Sequence, residues 1–329
     1  MMNDNNTLYI VVPCYKEQEV LPETSRRLGE KLDALIAAGK ISADSRIMFV
    51  NDGSSDDTWP IIRRLHEERP ERFSGVNLSR NRGHQNALLA GLLTAVNYAD
   101  MIVSMDADLQ DDINAVDAMV DAYHEGYEVV YGVRSKRETD TFFKRFTAEG
   151  FYKVMKALGV DIVFNHADYR LMSRRAVEGL AQFTEVNLFL RGIVPQIGYK
   201  WTTVTYERAE RFAGESKYPL KKMLAFAADG ITSFSVKPIR LVLSAGVVVF
   251  LVSLIMFIYA LVQKIMGHTT AGWASLMASI WLLGGVQLLG LGVVGEYIGK
   301  IYNETKRRPR FIIESVLNQA GPEKKAGEA

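Results

Sequence analysis

Apolar and polar positions change rhythm twice along this chain of 329 residues. Across 8–134, short β-rich apolar runs at 8–12, 46–50, 75–78, 101–105 and 128–131 alternate with helical patterns at roughly 18–38, 56–68, 84–97 and 113–125. Strands alternating with helices predict βαβ units and a mainly parallel, doubly wound sheet, an α/β fold. Ligands bind such sheets at the carboxyl ends of the strands. Polar groups gather at those ends: Tyr15 and Glu17 after the first run, Asn51 and Asp52 after the second, Ser79 and Arg80 after the third, Asp106 and Asp108 after the fourth. The pattern predicts one site along one edge. Residues 135–212 are more irregular and mix helix with short strands such as 201–208.

The second change of rhythm begins near 213. Lys221, Lys222, Lys237 and Arg240 are set among Leu220, Met223, Leu224, Phe226, Ile231, Phe234 and Val236. That mix suits either an interfacial helix, with lysines near lipid headgroups, or a helix packed between domains. A charge-free run of 22 residues follows at 241–262, about 33 Å long as a helix and enough to cross a bilayer core. A short polar break at 263–270 leads to a second uncharged run at 271–295. Lys237 and Arg240 precede the first run, and Lys300, Lys306, Arg307, Arg308 and Arg310 follow the second. The positive-inside rule then places both flanks in the cytoplasm and the loop outside. The expected division is a sheet domain at 1–212, a lid and interfacial segment at 213–240, two transmembrane helices, and a cytoplasmic tail at 296–329.

Within the second run, Gly290-Leu-Gly-Val-Val-Gly295 spells a dinucleotide-binding fingerprint but lacks the preceding strand that the motif requires. Gly285, Gly292, Gly295 and Gly299 fall near one helical face instead, predicting a close helix–helix seam and making a homo-oligomer an expectation.

Composition changes little. The formal net charge of +1 argues against nucleic acid as a partner. The single cysteine, Cys14, excludes an intramolecular disulfide and reads as a small buried hydrophobe or a reactive thiol, the first favoured by its apolar neighbours. Residues 1–7 are polar with no apolar signal core, so export of the sheet domain is not expected.

Candidate chemistry changes it more. Asp106-Ala107-Asp108-Leu109-Gln110 directly follows the fourth run. Two carboxylates two residues apart at a strand end supply hard oxygen ligands for Mg2+ or Mn2+, ions that keep several waters and take other ligands from substrate phosphates. The same residues also suit an acidic turn before a helix.

Six motifs occur in order: Pro13-Cys14-Tyr15-Lys16-Glu17, Asn51-Asp52-Gly53-Ser54-Ser55-Asp56, Asn81-Arg82-Gly83, Asp106 to Gln110, Ala167-Asp168-Tyr169-Arg170, and Gly214-Glu215-Ser216-Lys217-Tyr218. Together they resemble the family-2 glycosyltransferases of GT-A fold, and among them the polyprenyl-phosphate glycosyltransferases: bactoprenol glucosyltransferases, the undecaprenyl-phosphate formamido-arabinose transferase and dolichol-phosphate mannose synthases. The resemblance runs from about residue 8 to residue 312 and takes in the paired apolar runs.

The resemblance implies transfer of a sugar, with inversion, from a nucleotide-diphosphate donor to undecaprenyl or another polyprenyl phosphate. UDP-glucose and UDP-N-acetylglucosamine are the expected donors, and the place is the cytoplasmic face of the plasma membrane. It implies that Pro13, Tyr15, Glu17, Asp52 and Asp106 hold the nucleotide, and that Asp106, Asp108 and Gln110 ligate Mg2+ or Mn2+. Lys16 departs from the family's usual asparagine. Arg211 and Lys217, with Gly214 and Ser216, are read as a lid over the diphosphate. Arg134, Lys144, Arg145 and Arg170 are candidates for the acceptor phosphate, since guanidinium forks match phosphate oxygens.

Asp168 holds the place of the family's catalytic base. A phosphate monoester has a second pKa of about 6 and is already largely dianionic at neutral pH, so Asp168 is expected to orient Arg170 or the acceptor. His66, His84 and His124 read as structural, and His166 is the one histidine singled out for the site. A flippase and a downstream glycosyltransferase are the expected functional partners. Two other readings stay open. A polysaccharide or glycolipid synthase would carry Gln-x-x-Arg-Trp, which Gln196–Trp201 does not match; an idle membrane adaptor would have no use for an intact Asp106, Asp108 and Gln110.

Overall fold

The computed structural model describes residues 6–135, 166–186, 189–207, 237–266 and 272–319. The first half follows the alternation: β1 (Leu8–Cys14), α1 (Leu21–Ala37), β2 (Arg46–Asn51), α2 (Thr58–Glu68), β3 (Phe73–Leu78), α3 (His84–Ala95), β4 (Met101–Ser104), α4 (Ala115–His124) and β5 (Val129–Arg134). Every position of β1, β2, β3 and β4 is buried, as expected of strands covered on both faces by helices. α1 turns Leu21, Leu28, Leu32 and Leu35 inward at helical spacing. Beyond come β6 (His166–Ser173), α5 (Arg174–Ala181), a helical turn at Leu190–Ile193 and β7 (Trp201–Tyr206).

All of these strands, joined by β8 (Ile313–Leu317), form one sheet of eight in the order β7-β5-β6-β4-β1-β2-β3-β8. β1 pairs in parallel with β2 and β4, β2 with β3, and β5 with β7. β6 runs against β4 and β5, and β8 against β3. Six strands therefore end at one edge, and antiparallel β6 begins there. This reversal brings Asp168, near the start of β6, to the edge where β4 delivers Asp106. The sheet is mixed, with parallel pairing concentrated around β1. β8 corrects the reading of 296–329 as a plain tail, because five of its residues complete the sheet.

The described residues fall into two compact units, the sheet and a pair of long helices. α6 (Lys237–Ile265) and α7 (Trp273–Thr305) have 29 and 33 residues; α6 runs past both ends set by hydropathy alone, and α7 past its C-terminal end. By length and composition, stretches of each suffice to cross a membrane (Ile239–Met256 and Leu282–Thr305), and their apolar side chains are exposed. A Cβ added at Gly290 would lie 3.3 Å from Val242, whereas one at Gly285, Gly292, Gly295 or Gly299 would meet nothing within 4 Å. Among these glycines it is Gly290 that lies against α6, and the other four do not contact it. The segment 213–236, including the expected interfacial helix and lid residues, lies outside the described residues.

Candidate active site

The loops after β1 and β2 are built as one piece. Cys14 O accepts from Asp52 N–H at 2.9 Å, Ser54 Oγ from Lys16 N–H at 3.0 Å, and Thr58 Oγ1 from Glu17 N–H at 3.0 Å. Pro13 is buried at the end of β1, while Tyr15 beyond it is 45% exposed. Lys16 adopts the left-handed region, φ 56, which asparagine tolerates far better than lysine. The family's usual asparagine therefore has a backbone reason.

The loop after β3 locks onto the same assembly. Both oxygens of buried Asp52 accept backbone N–H groups, from Arg82 at 2.6 Å and Gly83 at 2.9 Å. Burial pushes Asp52 up, and those two N–H groups together with His84 only partly offset it. Gly53, φ 60, lies so close that a Cβ there would come within 2.4 Å of the Arg80 carbonyl carbon. Asp52 thus clamps three loops together.

Asp106 and Asp108 follow β4. The chain turns sharply at Leu109, φ 56, and Asp108 Oδ1 accepts from Gln110 N–H at 3.2 Å. Partial burial, with the carboxylates of Asp111, Asp168 and Asp108, pushes Asp106 up to about 6, against the pull of His84. Like charges gathered this closely would be relieved by a bound cation. Among the described residues no three His, Cys, Asp or Glu side chains form a closed metal cage. An aspartate pair nevertheless fits a hard divalent ion whose remaining ligands are water and phosphate oxygens.

Across from Asp106 stands Asp168, buried and gripped by two guanidinium groups. Its Oδ1 accepts from Arg170 Nη2 at 2.7 Å and its Oδ2 from Arg191 Nη2 at 3.1 Å. Burial alone would raise its pKa; Arg191 and Arg170 outweigh burial and hold the carboxyl well below the usual carboxylate range. Arg170 is itself 2% exposed. That corrects its assignment as a phosphate anchor, because a guanidinium so enclosed and so committed to Asp168 is not offered to a lipid headgroup. Arg191, its side chain 35% exposed, is the outward-facing member of the group.

His84 joins the two halves. Its Nε2 lies 3.5 Å from Asp106 Oδ1 and 3.8 Å from Asp168 Oδ2, a place between the two carboxylates that its sequence reading as structural did not anticipate. His66 does fit that reading, buried with Nδ1 2.6 Å from Phe73 O. Asp111, also missed in the sequence, is 3% exposed and meets the Tyr206 hydroxyl. Arg134 reaches Asp111 at 3.6 Å and the Tyr206 hydroxyl at 3.3 Å. Lys144, Arg145, Arg211, Gly214, Ser216 and Lys217 lie outside the described residues, and of His166 only the backbone is described.

Two family models match the chain: Glycosyl transferase family 2 over residues 9–180 and the GtrB C-terminal hairpin over 237–301. The uncharacterized glycosyltransferase YkoT of Bacillus subtilis (strain 168) is 55% identical over 95% of this chain and 93% of its own length. A prophage bactoprenol glucosyl transferase homolog of Escherichia coli (strain K12) is 40% identical over 93% of this chain and 98% of its own. Among solved structures, glucosyl-3-phosphoglycerate synthase from Mycobacterium tuberculosis matches with a TM-score of 0.44 at 19% identity, over 70% of this chain and 79% of that one.

Proposed function

Because the chain belongs to glycosyl transferase family 2, we propose that it moves a hexose from a nucleotide-diphosphate donor to a polyprenyl phosphate at the cytoplasmic face of the plasma membrane. Glucose or N-acetylglucosamine on UDP is the proposed donor and undecaprenyl phosphate the proposed acceptor. The observation that carries the reading is the meeting at one sheet edge of the Asp106–Asp108 pair with Asp168, joined through His84. The names of relatives such as the bactoprenol glucosyl transferases, about as similar as the one from Escherichia coli, support the acceptor class.

Asp106 and Asp108, with Gln110, would hold Mg2+ or Mn2+, which when bound stabilises the negative charge left on the departing nucleotide diphosphate. Tyr15 and Glu17 project from the loop after β1, beside the clamp that Asp52 makes, and would frame the nucleoside. Asp168 does not take a proton. Two guanidinium groups keep it ionised, and the acceptor phosphate reaches the site already largely dianionic. Its work is to aim Arg191, and with Arg191 the acceptor, so that the phosphate oxygen attacks the anomeric carbon opposite the leaving group in a single inverting displacement.

Chain connectivity supports a two-span hairpin. Strands preceding α6 and following α7 share one sheet, so the intervening chain must cross a membrane an even number of times. Lys237 and Arg240 on one flank, and the cluster from Lys300 to Arg310 on the other, favour the cytoplasm for the sheet. Purified protein given labelled UDP-glucose or UDP-N-acetylglucosamine, undecaprenyl phosphate and Mn2+ should form a lipid carrying a single sugar. EDTA, or alanine at both Asp106 and Asp108, should abolish it. Full activity in EDTA would refute the reading.

A further inference from the structure

The strand that follows the membrane hairpin reaches into the nucleotide loops through a chain of side chains. Along β3 and β8 the register runs Asn77 with Ser315, then slips so that Leu78 faces Ile313. Glu314 is the extra residue of a β-bulge. In a regular ladder, neighbours on a strand point to opposite faces, so Glu314 would turn away from the face that Asn77 and Ser315 share. Bulges re-aim side chains, and here Glu314 Oε2 accepts from Asn77 Nδ2 at 2.8 Å. Asn77 in turn accepts from Asn51 Nδ2 at 2.7 Å. Asn51 Oδ1 then accepts from Ser54 N–H at 3.2 Å, and Ser54 Oγ from Lys16 N–H at 3.0 Å.

The direction of this relay is fixed at both ends, by the Glu314 carboxylate and by the Ser54 N–H, which can only donate. An ionised carboxylate can only accept, so Asn77 must turn its NH2 toward Glu314 and its oxygen toward Asn51. Asn51 must then donate to Asn77 and present its own oxygen to the loop. An asparagine has no such preference of its own. Asn51 and Asn77 are both buried, so reversed amides would leave donor facing donor at half-buried Ser54, at a cost in free energy.

We infer that Glu314 is a positioning residue for nucleotide binding: its accepting oxygen locks the orientation of the Asn77 and Asn51 amides from the sheet side and thereby helps hold the loops carrying Tyr15, Glu17 and Asp52 in their binding shape. The ligand named here, a nucleoside diphosphate, rests on the function proposed above.

The test uses full-length protein in detergent, with Glu314 replaced by Gln, Ala or Lys. Gln keeps an accepting oxygen, Ala removes it, and Lys puts a donor there that opposes the relay. UDP affinity, measured by titration without acceptor, should stay within about twofold for Glu314→Gln, fall about tenfold for Glu314→Ala and fall further for Glu314→Lys. KM for the polyprenyl phosphate should hold steady. A role confined to strand pairing would weaken all three alike, and equal affinities across the series would overturn the inference.

Hydrogen exchange of the amides at 52–55 and 15–17, followed without any nucleotide, tests the relay independently of function. Faster exchange in the Ala and Lys proteins and unchanged exchange in the Gln protein is expected; no difference among them would overturn it. Wild-type protein that fails to bind UDP while the exchange pattern holds would refute the donor assignment and leave the relay standing.

Discussion

Asp168 is conspicuous in sequence as the family's base, and its surroundings favour the orienting part expected of it. Held by Arg170 and Arg191, its carboxyl lies well below the carboxylate range, so it titrates nowhere near working pH. Asp168→Asn should lower turnover about a hundredfold by misaiming Arg191. The pH–rate profile should keep its shape, and the loss of an acid limb in the variant would restore the role of base.

Asp106 behaves in the opposite way. A carboxyl whose folded-state pKa is raised gives stability that is fully present below its unfolded value of about 4. That stability is lost as pH rises through about 6. Metal-free protein should therefore lose this contribution across that window, and the gain in Tm from Mn2+ should grow between about pH 5 and about pH 7. A Mn2+ shift independent of pH would exclude Asp106 as a ligand. At Lys16, replacement by asparagine should stabilise the fold by about 0.5–1 kcal/mol in urea titrations, by relieving a left-handed lysine.

The aspartate pair was legible because its two members are near neighbours at a recognisable strand end. His84 and Arg191 were not. Each meets the site only through folding, and neither adds to a spacing pattern, although the position of His84 directly after Asn81-Arg82-Gly83 was a usable signal.

Elements were readable where one rhythm ran unbroken. β1 to β5 and the helices between them follow directly from apolar runs and helical spacing. β6 did not stand out because buried Asp168 and Arg170 interrupt its apolar pattern, a pairing that only tertiary contacts make tolerable. β8 is five residues long and follows a basic cluster, so nothing local marks it as part of the sheet. The ends of α6 and the C-terminal end of α7 were underestimated because hydropathy registers the apolar stretch and is blind to a helix that continues through Glu296 and Lys300. Joints between elements carry their own prediction. Gly53→Ala should destabilise by about 2 kcal/mol or more in denaturant melts, since a Cβ would collide with Arg80 backbone at a positive φ. A stability within error of wild type would show that the loops after β2 and β3 can separate cheaply.

For the whole molecule, the decisive question is whether the two long helices cross a membrane as a hairpin. The single native cysteine makes this testable, because Cys14 is buried and burial pushes its thiol well up, leaving it poorly reactive. A cysteine at Met266, which is 63% exposed at the end of α6, should react with an impermeant maleimide added outside intact cells. One at Arg307 should react only after the membrane is opened. Labelling of both from one side would contradict the hairpin.

The place of β8 in the sheet also bears on how the protein is made. Synthesis reaches Ile313–Leu317 only after α7, so the sheet is completed last. Until then β3 has a bare outer edge, the kind that invites wrong partners, and Glu314 has not arrived to orient its asparagines. The outer edge of the sheet is thus closed last, and a chain arrested between α7 and β8 would carry both long helices and leave β3 uncovered.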